Sequence, residues 1–412
     1  MNTLNPVLLN NRYIEYLILK YAFYDRNVKN SILGIRLISK FYAYGYVSND
    51  IVRYVSIIMS KYNEQRISKF WDIHKYYVYY LDAKDMDWTD ISQYNQIPSM
   101  YLTKIPVQDI SPIKNTKVLA LSNMHDIKDV SCLENETLVL LYMNGIESLN
   151  VSDKIRSLSV FDLRNLPKLN LMENLETLNI SLSNILDIEP LKYSTKLKKI
   201  DLRNMSITDI SPISHVPDVT LMRLFNLTDF SPLAHVQVLH LNNVHMNKED
   251  LLHFRNVTEL TLSSLIGFII DYDEIGNYPN LKKLSLSYLI ICTVRKFSHV
   301  PEIHLSNIDY AIDDFYTLRD VPILHIKDLL LVDDLNVLSN VGELHITSPY
   351  HKHINQNIDN LRTVRGLYLH RLYTDSNLDT FTNIRHIGEV HNIRRSTRLK
   401  RRRVSDPHSG VD

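Results

Sequence analysis

The chain has 412 residues, 45% of them hydrophobic, and 46 basic side chains balance 46 acidic ones. That length accommodates two domains or one long array with an appendage, and the zero net charge means that no whole-molecule field draws the protein to nucleic acid or to a membrane. Nine glycines are few for phosphate-cradling loops, where the backbone must approach a ligand closely, and two cysteines, Cys132 and Cys292, are too few for a disulfide scaffold or a structural zinc site.

The N-terminal residues 1–11 lack a basic stretch leading into an apolar one, so no secretory signal is expected. Residues 1–95 read as a small all-helical head. Ile14, Leu17, Ile18 and Tyr21 fall on one helical stripe. A second helical run follows Ser31, with Leu33-Gly-Ile35-Arg-Leu37-Ile38-Ser39-Lys40-Phe41-Tyr42. Residues 50–95, rich in tyrosine and containing Trp71, Tyr76, Tyr77, Tyr79 and Tyr80, also read as helical. The second run resembles an F-box, and Asn5-Pro6-Val7-Leu8-Leu9 loosely echoes that family's leading leucine-proline. The resemblance implies docking on a Skp-type adaptor of a cullin-RING ubiquitin ligase, with Ile14, Leu17, Ile18, Leu37, Ile38 and Phe41 as the apolar contact. The alternative is a head that only caps the open end of a repeat array, as an exposed terminal repeat requires. The two readings are compatible.

From residue 96 to 393 a periodicity dominates. In Leu197-Lys-Lys-Ile200-Asp-Leu202-Arg-Asn-Met205-Ser-Ile207-Thr-Asp-Ile210-Ser-Pro-Ile213, apolar residues fall two apart and then three. Two apart is a strand with one buried face; the later spacing is a chain turning back. The second inward strand residue recurs at Leu102, Leu121, Leu140, Val160, Ile180, Leu202, Leu221, Leu241, Leu262, Leu286, Leu305, Ile326, Ile346 and Leu369, at intervals of 19 to 24 residues. Asp109-Ile-Ser-Pro112, Asp209-Ile-Ser-Pro212, Asp229-Phe-Ser-Pro232 and the variant Asp187-Ile-Glu-Pro190 mark the returning limb. Serine as cap and proline at the first helical position would start a short 3₁₀ turn there. No such unit buries its apolar side alone, so neighbours must stack.

This phrase resembles the leucine-rich-repeat family, and within it the short internalin-like repeats. The resemblance implies an α/β repeat fold: a solenoid of about 14 repeats, a parallel sheet on the concave side and short 3₁₀ or irregular convex turns. One departure concerns the asparagine that the family places after the strand. That slot holds Met124, Met143, Met205, Val244, Leu265 and Leu289, while Asn123, Asn204 and Asn243 stand one place earlier. A regular asparagine ladder is therefore not expected. A helical head joined to such repeats is similar to the F-box and leucine-rich-repeat proteins of eukaryotes, protists among them, and of some large DNA viruses.

Strand alternation places the residues between inward positions on the concave face. These and their neighbours are Tyr101, Tyr142, Phe161 and Asp162, then Arg203, Arg223 and His240, then His304, His325, Lys327, His345, Tyr368, His370 and Arg371. The first group is aromatic and the last is basic and imidazole-rich. Parallel strands about 4.8 Å apart would align His304, His325 and His345 in a row. The plain reading is that histidine tolerates an exposed strand position. The sharper one is a contact to an acidic peptide that strengthens below about pH 6.5. No metal site is expected, because a line of imidazoles lacks convergence and an outer shell of partners.

Residues 394–412 form a basic tail, with Arg394, Arg395, Arg398, Lys400, Arg401, Arg402 and Arg403, too poor in apolar residues to pack. It reads as a nuclear targeting signal, a nonspecific nucleic-acid contact or a merely solvated end. No hydrolase or metalloprotease phrase stands out. The expected protein is an intracellular monomer, cytoplasmic or nuclear, that binds protein partners without cofactor, membrane or catalysis. It is either an F-box-like substrate receptor or a stand-alone repeat scaffold.

Overall fold

The structure is a computed structural model. It describes residues 55–60, 78–146, 149–163, 169–266, 272–291, 293–308, 314–328, 335–347, 358–370, 373–374, 376, 378–387 and 391–392. The F-box-like run, Cys292, Arg371 and the basic tail lie outside them.

The chain divides into two compact units at Asn184 and Ile185. In the first unit, β1 (Val55–Ser60), β2 (Val78–Lys84), β3 (Ser99–Thr103), β4 (Val118–Ser122), β5 (Thr137–Leu141), β6 (Ser157–Phe161) and β7 (Thr177–Ser181) each pair in parallel with the next. In the second, β8 (Lys199–Arg203), β9 (Asp218–Met222), β10 (Val238–Asn242), β11 (Glu259–Ser263), β12 (Lys283–Ser287), β13 (Glu302–Ser306), β14 (Ile323–Lys327), β15 (Glu343–Thr347) and β16 (Gly366–His370) do the same. A register shift after Leu367 then brings in β18 (Ile384–Ile387), and β17 (Tyr373–Thr374) pairs with β19 (His391–Asn392).

From β3 to β16 every strand has five residues, of which the second and fourth are buried. Leu284 and Leu286, for example, lie beside Ile303 and Leu305 in the next strand. This is the pleat period of two turned into a core. The 3₁₀ turns supply the opposite wall: Ile113, Ile213, Leu233, Leu251 and Phe297 on those turns are buried. Parallel five-residue strands, 3₁₀ returns and a register that never slips between β8 and β16 make the chain a leucine-rich-repeat solenoid.

Three expectations change in detail. Residues 55–60 and 78–84 are strands rather than helices, so the strand ladder begins before residue 96. In β2, Leu81 and Ala83 alternate with the outward Asp82, which is a strand pattern inside a tyrosine-rich stretch. Second, the turns are capped by aspartate and not by serine. The Asp109 carboxylate accepts the Ser111 backbone N–H at 2.8 Å, and Asp129, Asp187, Asp209 and Asp229 do likewise for Ser131, Glu189, Ser211 and Ser231. The serine is the first residue of the turn, and its proline comes second.

Third, the asparagine offset has a backbone cause. Asn123, Asn204, Asn243 and Asn307 have φ of 51 to 53°, as do their equivalents Asp85, Lys104, Tyr142, Asp162, Leu182, Arg223, Ser264, Tyr288 and Asp328 to within a few degrees. Each strand thus ends in a left-handed residue, a conformation asparagine and aspartate tolerate best among residues with a Cβ. That bend turns the N–H toward the next repeat: Asn123 donates to Leu141 O and Asn243 to Ser263 O, each at 2.9 Å. A polar side-chain ladder exists too, but just ahead of the strands. Asn174, Asn256 and Asn383 donate to backbone carbonyls of Asp153, Ala234 and Leu361 in the preceding repeat. Cys132 is half-buried, and burial pushes its thiol pKa up, away from reactivity.

Candidate binding face

The first, third and fifth residues of each strand point away from the core, and parallel pairing in register lines up equal positions. In the first unit the third position reads Asp82, Tyr101, Ala120, Val139, Ser159 and Asn179. Tyr101 therefore stands between a carboxylate and a methyl group, away from the other expected aromatics. Phe161 is the last residue of β6, and Tyr142 is the left-handed residue after β5. Their rings meet edge to face at 5.1 Å, with Tyr142 40% exposed. The aromatic group is a pair at the strand ends, with Tyr101 apart.

In the second unit Arg203 is engaged by its own strand: Nε and Nη2 donate to the two Asp201 oxygens at 2.7 and 2.6 Å. Arg223 is a left-handed residue just past β9, within 3.5 Å of Asn204 Oδ1. His240 is flanked in register by Thr220 and Thr261. Burial is the first cause that lowers its pKa.

The third position of β13 to β16 brings four rings together. His304 stacks on His325 with centroids 4.0 Å apart and planes 10° from parallel. His325 stacks on His345 at 3.9 Å and 15°, and His345 on Tyr368 at 4.0 Å and 4°. The pairs His304–His325, His325–His345 and His345–Tyr368 are directly opposite in register. A spacing near the van der Waals contact of flat rings is a little below the usual strand separation, so the rings themselves fill the gap. Lys327 and His370 close their strands at the fifth position, on either side of Thr347. They border the column without joining it.

Residues that the sequence did not single out complete the site. Glu302 Oε1 lies 2.6 Å from His304 Nε2 and 2.7 Å from Lys283 Nζ. Bonding from Lys283, first, and from His304 holds the Glu302 carboxyl below its ordinary range, against a smaller burial effect. The only sequence signal is position: Lys283, Glu302 and Glu343 are first residues of strands whose third residues face outward. One oxygen of Glu302, one nitrogen of His304 and one of His325 lie within 4.8 Å of one another, and all three side chains are partly buried.

The middle of the column is the part least easily protonated. Burial first, and then the neighbouring His304 and His345, push the His325 pKa down to about 4, and burial lowers that of His345 as well. At neutral pH the middle of the column is therefore neutral. It presents ring edges with one donor and one acceptor nitrogen, not a cationic strip. His325 therefore supplies no acid-strengthened binding with an onset near pH 6.5.

Among the described residues no helix is long and apolar enough to cross a membrane. No protein-family model and no curated protein matches the chain. Its similarity is to solved structures. The internalin InlF of Listeria monocytogenes is 17% identical over 76% of this chain and 87% of its own, with a TM-score of 0.42. A leucine-rich-repeat protein of Leptospira interrogans is 16% identical over 84% of this chain and 98% of its own, with a TM-score of 0.46. TLR13 in complex with a single-stranded RNA is 15% identical over 77% of this chain and 62% of its own, with a TM-score of 0.49.

Proposed function

We propose that the protein is a binding scaffold, and that the outward face of β13–β16 holds a segment of a partner protein. The observation that carries this reading is the ring column His304–His325–His345–Tyr368. Stacked rings on paired strands have already lost their rotamer freedom, so a partner does not bear that entropy cost on binding. Aromatic anchors of this kind dominate interface energies. The mixed border of Glu302, Glu343, Lys283 and Lys327 favours a partner with both polar and apolar contacts rather than a purely acidic one.

The test is proximity labelling with the full chain and with a His304→Ala, His345→Ala, Tyr368→Ala variant. Partners of this face drop out of the variant's labelling while its circular dichroism is unchanged. An identical partner set from a folded variant removes the reading.

A finer version makes the protein a substrate receptor of a cullin-RING ubiquitin ligase. It is supported by the F-box-like phrase Leu33 to Tyr42, whose Leu37, Ile38 and Phe41, with Ile14, Leu17 and Ile18, would contact a Skp-type adaptor. Co-purification of that adaptor, lost in Leu37→Asp and Ile38→Asp, is the expected result. A chain that recovers no adaptor is the stand-alone scaffold instead, with the N-terminal head serving only as a cap. The basic run Arg394 to Arg403 would direct a fused reporter to the nucleus.

A further inference from the structure

We infer that Glu302, His304 and His325 form a binding site for a divalent transition-metal ion, with zinc as the test case. Imidazole nitrogen and carboxylate oxygen are the donors that such ions choose, at about 2.0–2.2 Å. Four donors around zinc at that distance stand roughly 3.3 Å from each other. The three candidate atoms already lie within 4.8 Å of one another, on strands whose backbones are fixed by the parallel ladder.

The Glu302–His304 pair is the nucleus of the site. Nε2 of His304 and Oε1 of Glu302 are hydrogen-bonded at 2.6 Å, and a metal ion takes the place of that bond by opening the pair by less than about 1 Å. Lys283 also bonds Glu302 Oε1, so that oxygen is held toward His304 before any ion arrives. Lys283 then orients the carboxylate as an outer-shell partner, although its own charge opposes the ion and keeps affinity moderate. His325 is the third ligand. Its plane is within 10° of that of His304, so the two rings' in-plane lone pairs do not yet converge. The ring must turn about its side-chain torsions, breaking its stack on His345. Three protein ligands leave a fourth position to water or to a donor from a bound partner, as in open zinc sites.

The site shares two rings with the proposed partner stripe, but it is tested with the metal ion alone, so either reading can fail without the other. Calorimetric titration of the full-length protein with zinc chloride, repeated with cobalt chloride, is expected to give one ion per chain at this site. His304→Gln, His325→Gln and Glu302→Gln each weaken it at least as much as the roughly 10- to 100-fold that loss of an outer-shell partner costs. His240→Gln, a histidine on the same face but outside the cluster, leaves it unchanged. In wild-type protein, zinc also moves the ring nitrogen resonances of His304 and His325 together. The inference is overturned if wild-type protein takes up no ion at micromolar concentration. It is equally overturned if the three cluster variants, shown folded by circular dichroism, bind as well as wild type.

Discussion

His240 titrates in an environment built from four strands. Its half-buried ring is opposed by Lys199 and favoured in its charged form by Asp218, Glu259 and Asp201, and burial outweighs them, leaving the pKa below its ordinary value. A folded pKa below the unfolded one of about 6.5 means that the unfolded chain binds the proton more readily. The stabilisation is present above that pH and is lost as pH falls through the folded pKa. Thermal melts of wild type should therefore lose stability on acidification from pH 6.5, and His240→Gln should lose less over the same window; parallel curves would reject this. The turn aspartates act lower. Asp209 is held below its usual range by the Ser211 hydroxyl first and the Ser211 backbone second, so its contribution is present above about pH 3.9 and vanishes as pH falls through the folded value. Backbone strain gives another residue-scale outcome. Tyr288 has φ 54° and is 61% exposed, so its side chain offers little to offset a left-handed conformation. Tyr288→Asn should gain about 1 kcal/mol in denaturant melts, whereas Asn243→Val at the equivalent position should lose stability.

At the scale of the element, the strands are readable in the sequence and their ends are not. Alternation in stretches such as Glu302-Ile-His-Leu-Ser identifies inward and outward residues, because a pleat has only two faces. The turns depend on which group supplies the cap, and Asp-Ile-Ser-Pro contains two candidates; the carboxylate reaches the N–H two residues on, which spacing alone does not decide. Residues 78–84 read as helical because a short run that opens on apolar and aromatic residues fits either period. The ring column depends on register and rotamer together, and sequence supplies only the first. Glu302 is inconspicuous in the sequence since its partners, Lys283 and His304, come from a neighbouring strand and from two residues on. One contact is stringent enough for a direct test. A Cβ on Gly145 would lie 2.1 Å from the His125 carbonyl oxygen and 2.8 Å from that of Ile127, backbone atoms that cannot swing away. Gly145→Ala should cost about 1–3 kcal/mol or more, read as a lowered denaturation midpoint, although alanine normally stabilises an exposed turn by restricting the unfolded chain.

Across a whole unit, stability is carried from repeat to repeat, because each buries its apolar side only against its neighbours. Position in the array then matters as much as position in the repeat. Leu305, Leu369 and Ile387 occupy the same inward register across β13, β16 and β18. Leu305 is 1% exposed and Leu369 fully buried, while Ile387 is 50% exposed. The same aliphatic chemistry is thus worth a cavity at one place and almost nothing at the other. Leu305→Ala should cost about 2–5 kcal/mol, and Ile387→Ala should stay within about 0.5 kcal/mol, as exposed sites do. Hydrogen exchange should show the same gradient in the second unit, with amides of β18 opening first and those of β11 to β13 last. Because the ring column runs from β13 to β16, its His304 end belongs to the stable middle and its Tyr368 end to the fraying edge. A bound partner should therefore slow exchange most at β16, where there is most left to protect. Equal slowing along the whole column would mean that the partner does not grip the edge, and that its contacts lie elsewhere in the unit.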